Sequence, residues 1–309
     1  MPPGLSIVIV SWNTKQLLSR CLESISGQEG FSMPGEVEII LVDNASTDGS
    51  VEMVREQFPD VVVIENARNN GFAAANNQGL RIARGKFLLL LNPDTELPAQ
   101  ALRTLLEVIT RQTGAGAVGA GLINPDGTLQ QSASPMIGLW REAWRLFHLD
   151  RFYPLAVYPL AEWDQTTEHP VDVVQGACLM LKRTAVEQVG LLDEDYFIYT
   201  EEVDMCFRLK EAGFGIYWVP QVRVLHYGGQ STRQRRREMF LKLYESKVIF
   251  FRKHFSRTTV NAYKLLLGFA ALLRLVISPV SSVLRRLGKM DTPPTGPYYW
   301  YLLRILPGL

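Results

Sequence analysis

Phe87-Leu88-Leu89-Leu90-Leu91 runs directly into Asn92-Pro93-Asp94, and this junction decides the fold. Five consecutive apolar residues without polar alternation predict a strand buried on both faces, as in a parallel sheet covered by helices. The polar turn after it sets one carboxylate, Asp94, at the carboxyl edge of such a sheet, where open α/β sheets bind their ligands. Taken alone, Asn-Pro-Asp is also ordinary turn punctuation, because all three residue types are frequent turn formers. What favours a site is the company the tripeptide keeps.

Upstream, apolar runs at 5–10, 37–42 and 61–64 predict three further strands, and each is followed by apolar residues at helical spacing. The first helix, 14–25, carries Leu17, Leu18, Leu22 and Ile25 on one stripe with Thr14 at its cap position. Helices over 51–58, 73–83 and about 98–110 follow the other three strands. Strands alternating with helices at this pitch argue for a parallel sheet of right-handed βαβ units. The polar strand ends Ser11-Trp12-Asn13, Asp43 to Asp48, Asn69 to Phe72 and Asn92 to Asp94 then converge on one crevice.

Downstream, 115–123 reads as another strand, whereas 124–170 is rich in Trp, Tyr and Pro and has no clean periodicity. A long irregular loop in a compact domain is commonly functional or mobile. It reads either as a flap on the acceptor side or as an aromatic satellite core. Order returns at 171–182, where Gly176 interrupts an apolar strand and permits close backbone approach. The acidic stretch 193–204 opens a helix running to about residue 212, with Thr200 as its cap. Two short strands at 216–219 and 222–225 then deliver His226.

Composition bounds the function classes. The 309 residues are 47% apolar and 20% charged, with a net charge of +1, so no global field gathers nucleic acid and none is expected as a partner. Cys21, Cys178 and Cys206 are odd in number and fall inside helices or apolar strands. That pattern suggests a reducing compartment rather than a disulfide framework or zinc cluster. The amino terminus enters the first strand without a basic region or cleavage pattern, and is expected to be structure rather than a signal peptide.

The crevice offers carboxylates, amides and an aromatic ring. Asp43 and Asn44 suit the edge of a nucleobase, Trp12 suits stacking, and Asp94 suits a divalent cation bridging a diphosphate. Mg2+ or Mn2+ fits best, because hard cations take few carboxylates and complete their shell with phosphate oxygens. No Gly-x-Gly-x-x-Gly, Gly-Lys-Ser/Thr or Gly-x-Ser-x-Gly motif stands at a strand end to favour a dinucleotide fold, a P-loop or a hydrolase. A lone histidine is more often packed than ligating; placed after an apolar strand and before Gly228-Gly229, His226 gains weight as a metal or phosphate contact.

Five segments in order, Val10 to Asn13, Val42 to Ser50, Asn70 to Asn76, Leu91 to Asp94, and Tyr199 to Asp204 with His226, resemble a family 2 glycosyltransferase of the GT-A fold, nearest its bacterial rhamnosyltransferase-like branch. The resemblance covers about residues 5 to 230. It implies an α/β fold with a mostly parallel sheet flanked by helices, and an inverting transfer of a sugar from a nucleotide diphosphate sugar to an acceptor hydroxyl. L-rhamnose from dTDP-L-rhamnose is the first guess and a lipid-linked or polysaccharide glycan the acceptor.

By the same resemblance Ser11, Trp12, Asn13, Asp43, Asn44, Ser46 and Asp48 form the nucleoside pocket, and Asn70, Gly71, Phe72 and Asn77 line the donor path. Asn92-Pro93-Asp94 corresponds to the metal-binding Asp-x-Asp, with Asp94 and His226 as protein ligands; Asn92 replaces the first Asp. Glu202 stands where the family places its catalytic base, usually Asp, with Glu201 as fallback and Asp204 as a structural partner. Alternatives are a nucleotidyltransferase, which would need a glycine-rich basic loop in place of Ser11 to Lys15, and a non-catalytic sugar-nucleotide or glycan-binding module, favoured by the substitutions at Asn92 and Glu202.

The expected division is a 1–235 catalytic domain (1–114 binding nucleotide, 115–235 carrying acceptor and catalysis) and a helical 236–309 region. The basic run Arg233 to Arg237 reads as a solvated helix start or a clamp on a diphosphate. Residues 239–255 form an amphipathic helix, and 265–283 is nearly all apolar apart from Arg274 and Pro279. Arg274 opposes a spanning helix, costing about 2.5–3.5 kcal/mol at mid-bilayer. The favoured reading is a helix lying in the cytoplasmic membrane surface, anchored by Tyr298, Tyr299, Trp300 and Tyr301. Spanning or homo-oligomer formation come next.

Overall fold

The computed structural model describes residues 3–30, 36–229, 235–286 and 296–309, over 278–286 by backbone alone. In chain order its elements are β1 (Leu5–Ser11), α1 (Lys15–Ser26), β2 (Val37–Asp43), α2 (Ser50–Gln57), β3 (Val62–Glu65), α3 (Phe72–Ile82), β4 (Phe87–Leu91), β5 (Thr95–Glu96), α4 (Ala101–Arg111), β6 (Ala115–Ile123), β7 (Ala133–Ser134) and α5 (Leu139–Leu146). They continue with β8 (His169–Pro170), β9 (Val173–Val174), β10 (Cys178–Lys182), α6 (Arg183–Val189), α7 (Glu201–Glu211), β11 (Gly215–His226), α8 (Arg236–His254), α9 (Arg257–Arg286) and α10 (Gly296–Ile305).

The chain packs as two units. The first comprises 1–136, 157–197 and 201–234, and the second 137–156, 198–200 and 235–309. A single boundary near 235 was expected. Instead α5 and its flanks join the C-terminal helices, because a short amphipathic helix needs a partner for its apolar stripe and finds it there.

The first unit is built on one sheet of order β3-β2-β1-β4-β10-β6-β11-β5, with β8 added beside β11. The pairs β1–β2, β1–β4, β2–β3 and β6–β11 are parallel, as the βαβ spacing predicts. β10 runs antiparallel to both β4 and β6, so the sheet is mostly parallel, as expected, with an antiparallel strand within it. The irregular chain before β10 supplies no crossover helix, and an antiparallel entry needs none. All of β4 is buried. Each large apolar side chain so placed contributes about 1.5–3 kcal/mol, against about 1–2 kcal/mol for fixing a residue's backbone, which is why this run anchors the sheet.

β11 is one strand of twelve residues where two were expected. Pro220 lacks an N–H for the ladder and belongs at a bulge; the register with β6 shifts there, between Val219 and Arg223, and pairing then resumes to Leu225. Residues 157–170 carry the aromatic packing of a satellite core. Trp163 packs on Tyr158, His169 and the fully buried Trp218 at centroid distances of 4.9, 5.0 and 5.9 Å, forming an aromatic cluster.

α3 crosses β1 at Gly79, where a Cβ would lie 2.5 Å from Val8 Cγ1. In an open helix Gly→Ala gains about 1 kcal/mol of propensity. Here Val8 is rigid and fully buried, so overpacking prevails, and Gly79→Ala is expected to lose about 1–3 kcal/mol in denaturant unfolding. A stabilised variant would contradict this packing.

In the second unit Lys247 Nζ donates to Glu142 Oε2 at 2.7 Å and Arg145 lies 3.0 Å from Glu142 Oε1, an ion cluster with Glu142 and Lys247 buried. Arg274 is tied inward. It donates to the carbonyls of Leu146 and Ala270, lies 3.3 Å from His148 Nε2 and sits over Tyr299 at 5.3 Å. By length and composition Arg257–Ile277 could cross a membrane. Leu265, Phe269, Leu272 and Val276, at i, i+4, i+7 and i+11, form an exposed stripe on it. Arg237 stacks over Tyr301 at 4.8 Å; Arg233 and Gln234 of the basic run, and Lys289, lie outside the described residues.

Candidate functional site

The loops after β1 and β2 are stapled together. Asn13, at φ 52°, donates its backbone N–H to Ser46 Oγ at 2.9 Å, and its Oδ1 accepts from Thr47 N at 2.8 Å. Asp48 accepts from the N–H of Lys15, the first residue of α1, at 2.8 Å and from Ser50 N at 3.1 Å. Desolvation raises the Asp48 pKa, but these bonds together with one from the Ser50 hydroxyl outweigh it and hold the carboxyl below its ordinary value. Asp48 thus serves the start of α1, where Thr14 was expected to act. Thr14 instead lies 2.9 Å from the buried Ser11 hydroxyl and makes no cap bond.

Asp43 turns the β2 loop by accepting from Ser46 N through Oδ2 at 2.8 Å, while its buried Oδ1 has no hydrogen-bond partner. Asn44 is spent on structure. Its Nδ2 donates to Gly71 O at 3.0 Å, and its Oδ1 accepts from Asn66 Nδ2 at 2.9 Å and Asn70 N at 3.4 Å. These bonds fix the orientation of the Asn44 amide and leave its second Nδ2 hydrogen outside them. Trp12 is half-buried at the end of β1.

Asn77 is likewise structural and does not line an open path. Buried in α3, it donates to Leu192 O at 2.7 Å and Glu194 Oε1 at 2.9 Å and accepts from Leu192 N at 3.1 Å. Gly71, at φ 87°, begins α3 where a Cβ would lie 2.5 Å from Phe197 O, and Phe72 N donates to that same carbonyl at 2.6 Å. This N–H therefore fixes the segment leading toward α7.

β5 explains how two distant residues meet. It pairs antiparallel with the end of β11, Thr95 opposite His226, and Tyr227 N donates to Asp94 O at 2.9 Å. Asp94 and His226, both nearly buried, thereby face each other, with His226 Nε2 3.4 Å from Asp94 Oδ1. That contact is not a hydrogen bond: Nε2 is buried without a partner. Nδ1 lies 2.8 Å from Gln130 Oε1. Gln130, which no sequence motif singled out, carries the only preceding signal in the turn Pro125-Asp126-Gly127 that reverses the chain before it.

A carboxylate beside an imidazole nitrogen that lacks a hydrogen bond fits a divalent cation that takes further ligands from a diphosphate. Among the described residues no group of three or more His, Cys, Asp and Glu is placed to hold a metal. Asn92 stands between β4 and Asp94, with N–H donating to Ala177 O at 2.9 Å and a buried Oδ1 lacking a partner.

α7 contributes two carboxylates with different surroundings. Glu201 is buried, its Oε2 without a hydrogen bond. Burial first, and then the charge of Glu202, push its carboxyl well above the usual range. Glu202 is half-buried beside Gly176, whose added Cβ would lie 3.6 Å from Glu202 Cβ and 3.9 Å from Phe72 Cε1. Gly176 thus lies against the stem of the Glu202 side chain, whose Oε2 is buried. Asp204 is a tie, accepting from Arg208 Nε at 2.7 Å while Arg208 reaches the carbonyls of Val189 and Leu191. Thr200, at φ 72°, departs from the extended backbone of an ordinary N-cap.

Residues 6–190 match the family model "Glycosyl transferase family 2". An N-acetylglucosaminyl-diphospho-decaprenol L-rhamnosyltransferase of Mycobacterium tuberculosis is 31% identical over 246 residues, covering 75% of this chain and 78% of that protein. A low-salt glycan biosynthesis hexosyltransferase of Haloferax volcanii is 26% identical over 249 residues, covering 79% and 73%. A mannosyltransferase of Pyrobaculum calidifontis, solved with GDP-Man and Mn2+, superposes at TM-score 0.59 and 17% identity over 99% of this chain and 85% of that one. GalNAc-T7, solved with UDP, GalNAc and Mn2+, gives TM-score 0.56 at 19% identity over 73% of this chain, which spans 44% of that protein. The mixed sheet with its helices is a GT-A fold, and the chain belongs to glycosyl transferase family 2.

Proposed function

We propose that this glycosyltransferase is an inverting, cation-dependent enzyme that moves L-rhamnose from dTDP-L-rhamnose to a hydroxyl of a lipid-linked or glycan acceptor. The observation that carries the reading is a set of buried polar atoms without hydrogen-bond partners at the strand ends of one sheet: Asp43 Oδ1, Asn92 Oδ1 and His226 Nε2. Buried polar groups are nearly always paired, so such a concentration signals a ligand. Asp43 Oδ1 accepts from a base or ribose, Trp12 stacks on the nucleoside, and Asn92 accepts from a sugar hydroxyl. Asp94 and His226 hold the Mg2+ or Mn2+, which when bound neutralises the departing diphosphate. Glu202, half-buried beside Gly176, accepts the proton of the acceptor hydroxyl. The sugar and the prenyl-linked acceptor are supported by the name of the M. tuberculosis relative, and the cation by the Mn2+ in the two solved structures.

The exposed stripe of α9, with Leu265 and Val276 76% and 75% exposed, supports an enzyme resting on the cytoplasmic membrane surface. Arg274, tied within its own unit, favours lying over spanning. Thermal unfolding with dTDP, UDP, GDP and ADP, each with and without Mn2+, tests the donor. One nucleotide is expected to stabilise only with Mn2+, by about 2.7 kcal/mol at a hundredfold excess over Kd. No stabilisation by any nucleotide, with no sugar transfer to a prenyl diphosphate glycan, sinks the reading.

A further inference from the structure

The side chain of Gln130 has only one orientation that satisfies its neighbours. Its Nε2 donates to Asn124 Oδ1 at 2.8 Å and to the main-chain carbonyl of His226 at 2.7 Å. Both partners are acceptors only, so the amide nitrogen must face them and Oε1 must face His226 Nδ1, 2.8 Å away. An amide oxygen cannot donate. Nδ1 therefore carries a proton, and Nε2, 3.4 Å from Asp94 Oδ1, is the ring nitrogen left for a cation.

The same reasoning extends outward. Asn124 Oδ1 faces Gln130 because Asn124 Nδ2 donates to Thr128 Oγ1 at 2.9 Å. Thr128 Oγ1 accepts that bond because its own O–H donates to Asp126 Oδ1 at 2.6 Å. Asp126 is exposed, and the hydrogen bonds from the Thr128 hydroxyl and N–H hold its carboxyl below the ordinary value. An ionised carboxylate only accepts, so it fixes the sense of every bond behind it. The turn is rigid at the backbone as well, with Asn124 N donating to Thr128 O at 2.8 Å, Gly127 N to Asn124 O at 2.9 Å and Gly127 at φ 83°.

We infer that the turn Asn124 to Gln130 is a directional hydrogen-bond relay, running from Asp126 through Thr128, Asn124 and Gln130 to His226, which fixes His226 as its Nδ1–H tautomer. The relay makes Gln130 a positioning residue for cation binding at Asp94 and His226, and in that respect it rests on the proposed function. Outer partners of a ligating histidine hold its tautomer and ring plane, and losing them weakens metal binding about 10- to 100-fold.

Selective 15N labelling of the four histidines reads the tautomer directly in the metal-free protein, with His226→Gln identifying the resonance. Wild type is expected to show Nδ1–H. Gln130→Leu is expected to release it toward the Nε2–H form and to weaken Mn2+ binding in the presence of a nucleoside diphosphate about tenfold or more, read by titration with Mn2+ electron paramagnetic resonance. Gln130→Glu, which keeps an acceptor oxygen for Nδ1 but loses both Nε2 donations, should return the tautomer toward wild type only in part. Should Gln130→Leu fold poorly, Thr128→Val at the exposed turn should shift the tautomer in the same direction by less. Nε2–H in wild type, or an unchanged tautomer and Mn2+ affinity in Gln130→Leu, overturns the relay. If the tautomer shifts but no nucleoside diphosphate draws Mn2+ to either protein, the relay stands and the cation-dependent transferase reading fails.

Discussion

Glu202→Gln should reduce sugar transfer by about 10²- to 10⁴-fold, the usual worth of a positioned general base, while leaving nucleotide binding at its wild-type value. The substitution keeps the shape of the side chain and removes only its ability to take a proton. Two carboxylates adjoin on α7, and successive helical residues point about 100° apart. Their surroundings differ: Glu201 is buried with its carboxyl driven upward, whereas Glu202 is half-buried and packs its stem beside Gly176. Glu201→Gln should accordingly affect transfer far less. Initial rates at saturating donor, with donor affinity measured separately, decide the matter. Near-normal turnover in Glu202→Gln, or an equal loss in Glu201→Gln, would remove Glu202 from the role of base.

The second large effect belongs to Asp94→Asn. Its carboxylate makes no hydrogen bond to His226 across the 3.4 Å gap, and the link to Tyr227 comes from the Asp94 main chain, so the fold should survive the change. What is lost is the charge that draws a cation. Nucleoside diphosphate binding should lose its dependence on Mn2+, and transfer should fall by about 10²- to 10³-fold, as when a fixed electrostatic stabiliser is removed. Calorimetric titration of the nucleotide with and without Mn2+ supplies the check, and a retained metal dependence in the variant would falsify the assignment of Asp94.

The parts of this fold that were legible in the sequence are those governed by local periodicity. β1, β2, β3 and β4 with their helices follow from apolar runs closed by polar turns, and the positions of Asp43 and Asp94 at strand ends follow from the same pattern. β11 was misread as two strands because a lone Pro220 resembles a terminator until the partner β6 absorbs it in a bulge. The two-residue strands, β5 above all, are pairings between remote segments and leave no local signature. Nor does sequence disclose satisfaction. Nothing in the sequence shows that the amides of Asn44 and Asn77 bond to Gly71 and Leu192, and Gln130 reads as an ordinary loop residue until β11 places His226 beside it. The grouping of α5 with the C-terminal helices is invisible for the same reason, since it depends on Lys247 meeting Glu142 across 105 positions.

The stapled loops after β1 and β2 constrain how donor preference can change. Asn13, Ser46, Thr47, Asp48 and Lys15 form a reciprocal set in which each loop completes the backbone hydrogen bonding of the other. A chimaera that imported only the β2 loop from a relative would leave the start of α1 without the Asp48 acceptor. One that imported only the β1 loop would leave Thr47 without the amide of Asn13. With the nucleoside placed at these loops as proposed, grafting experiments that alter nucleotide preference should exchange both loops together or neither.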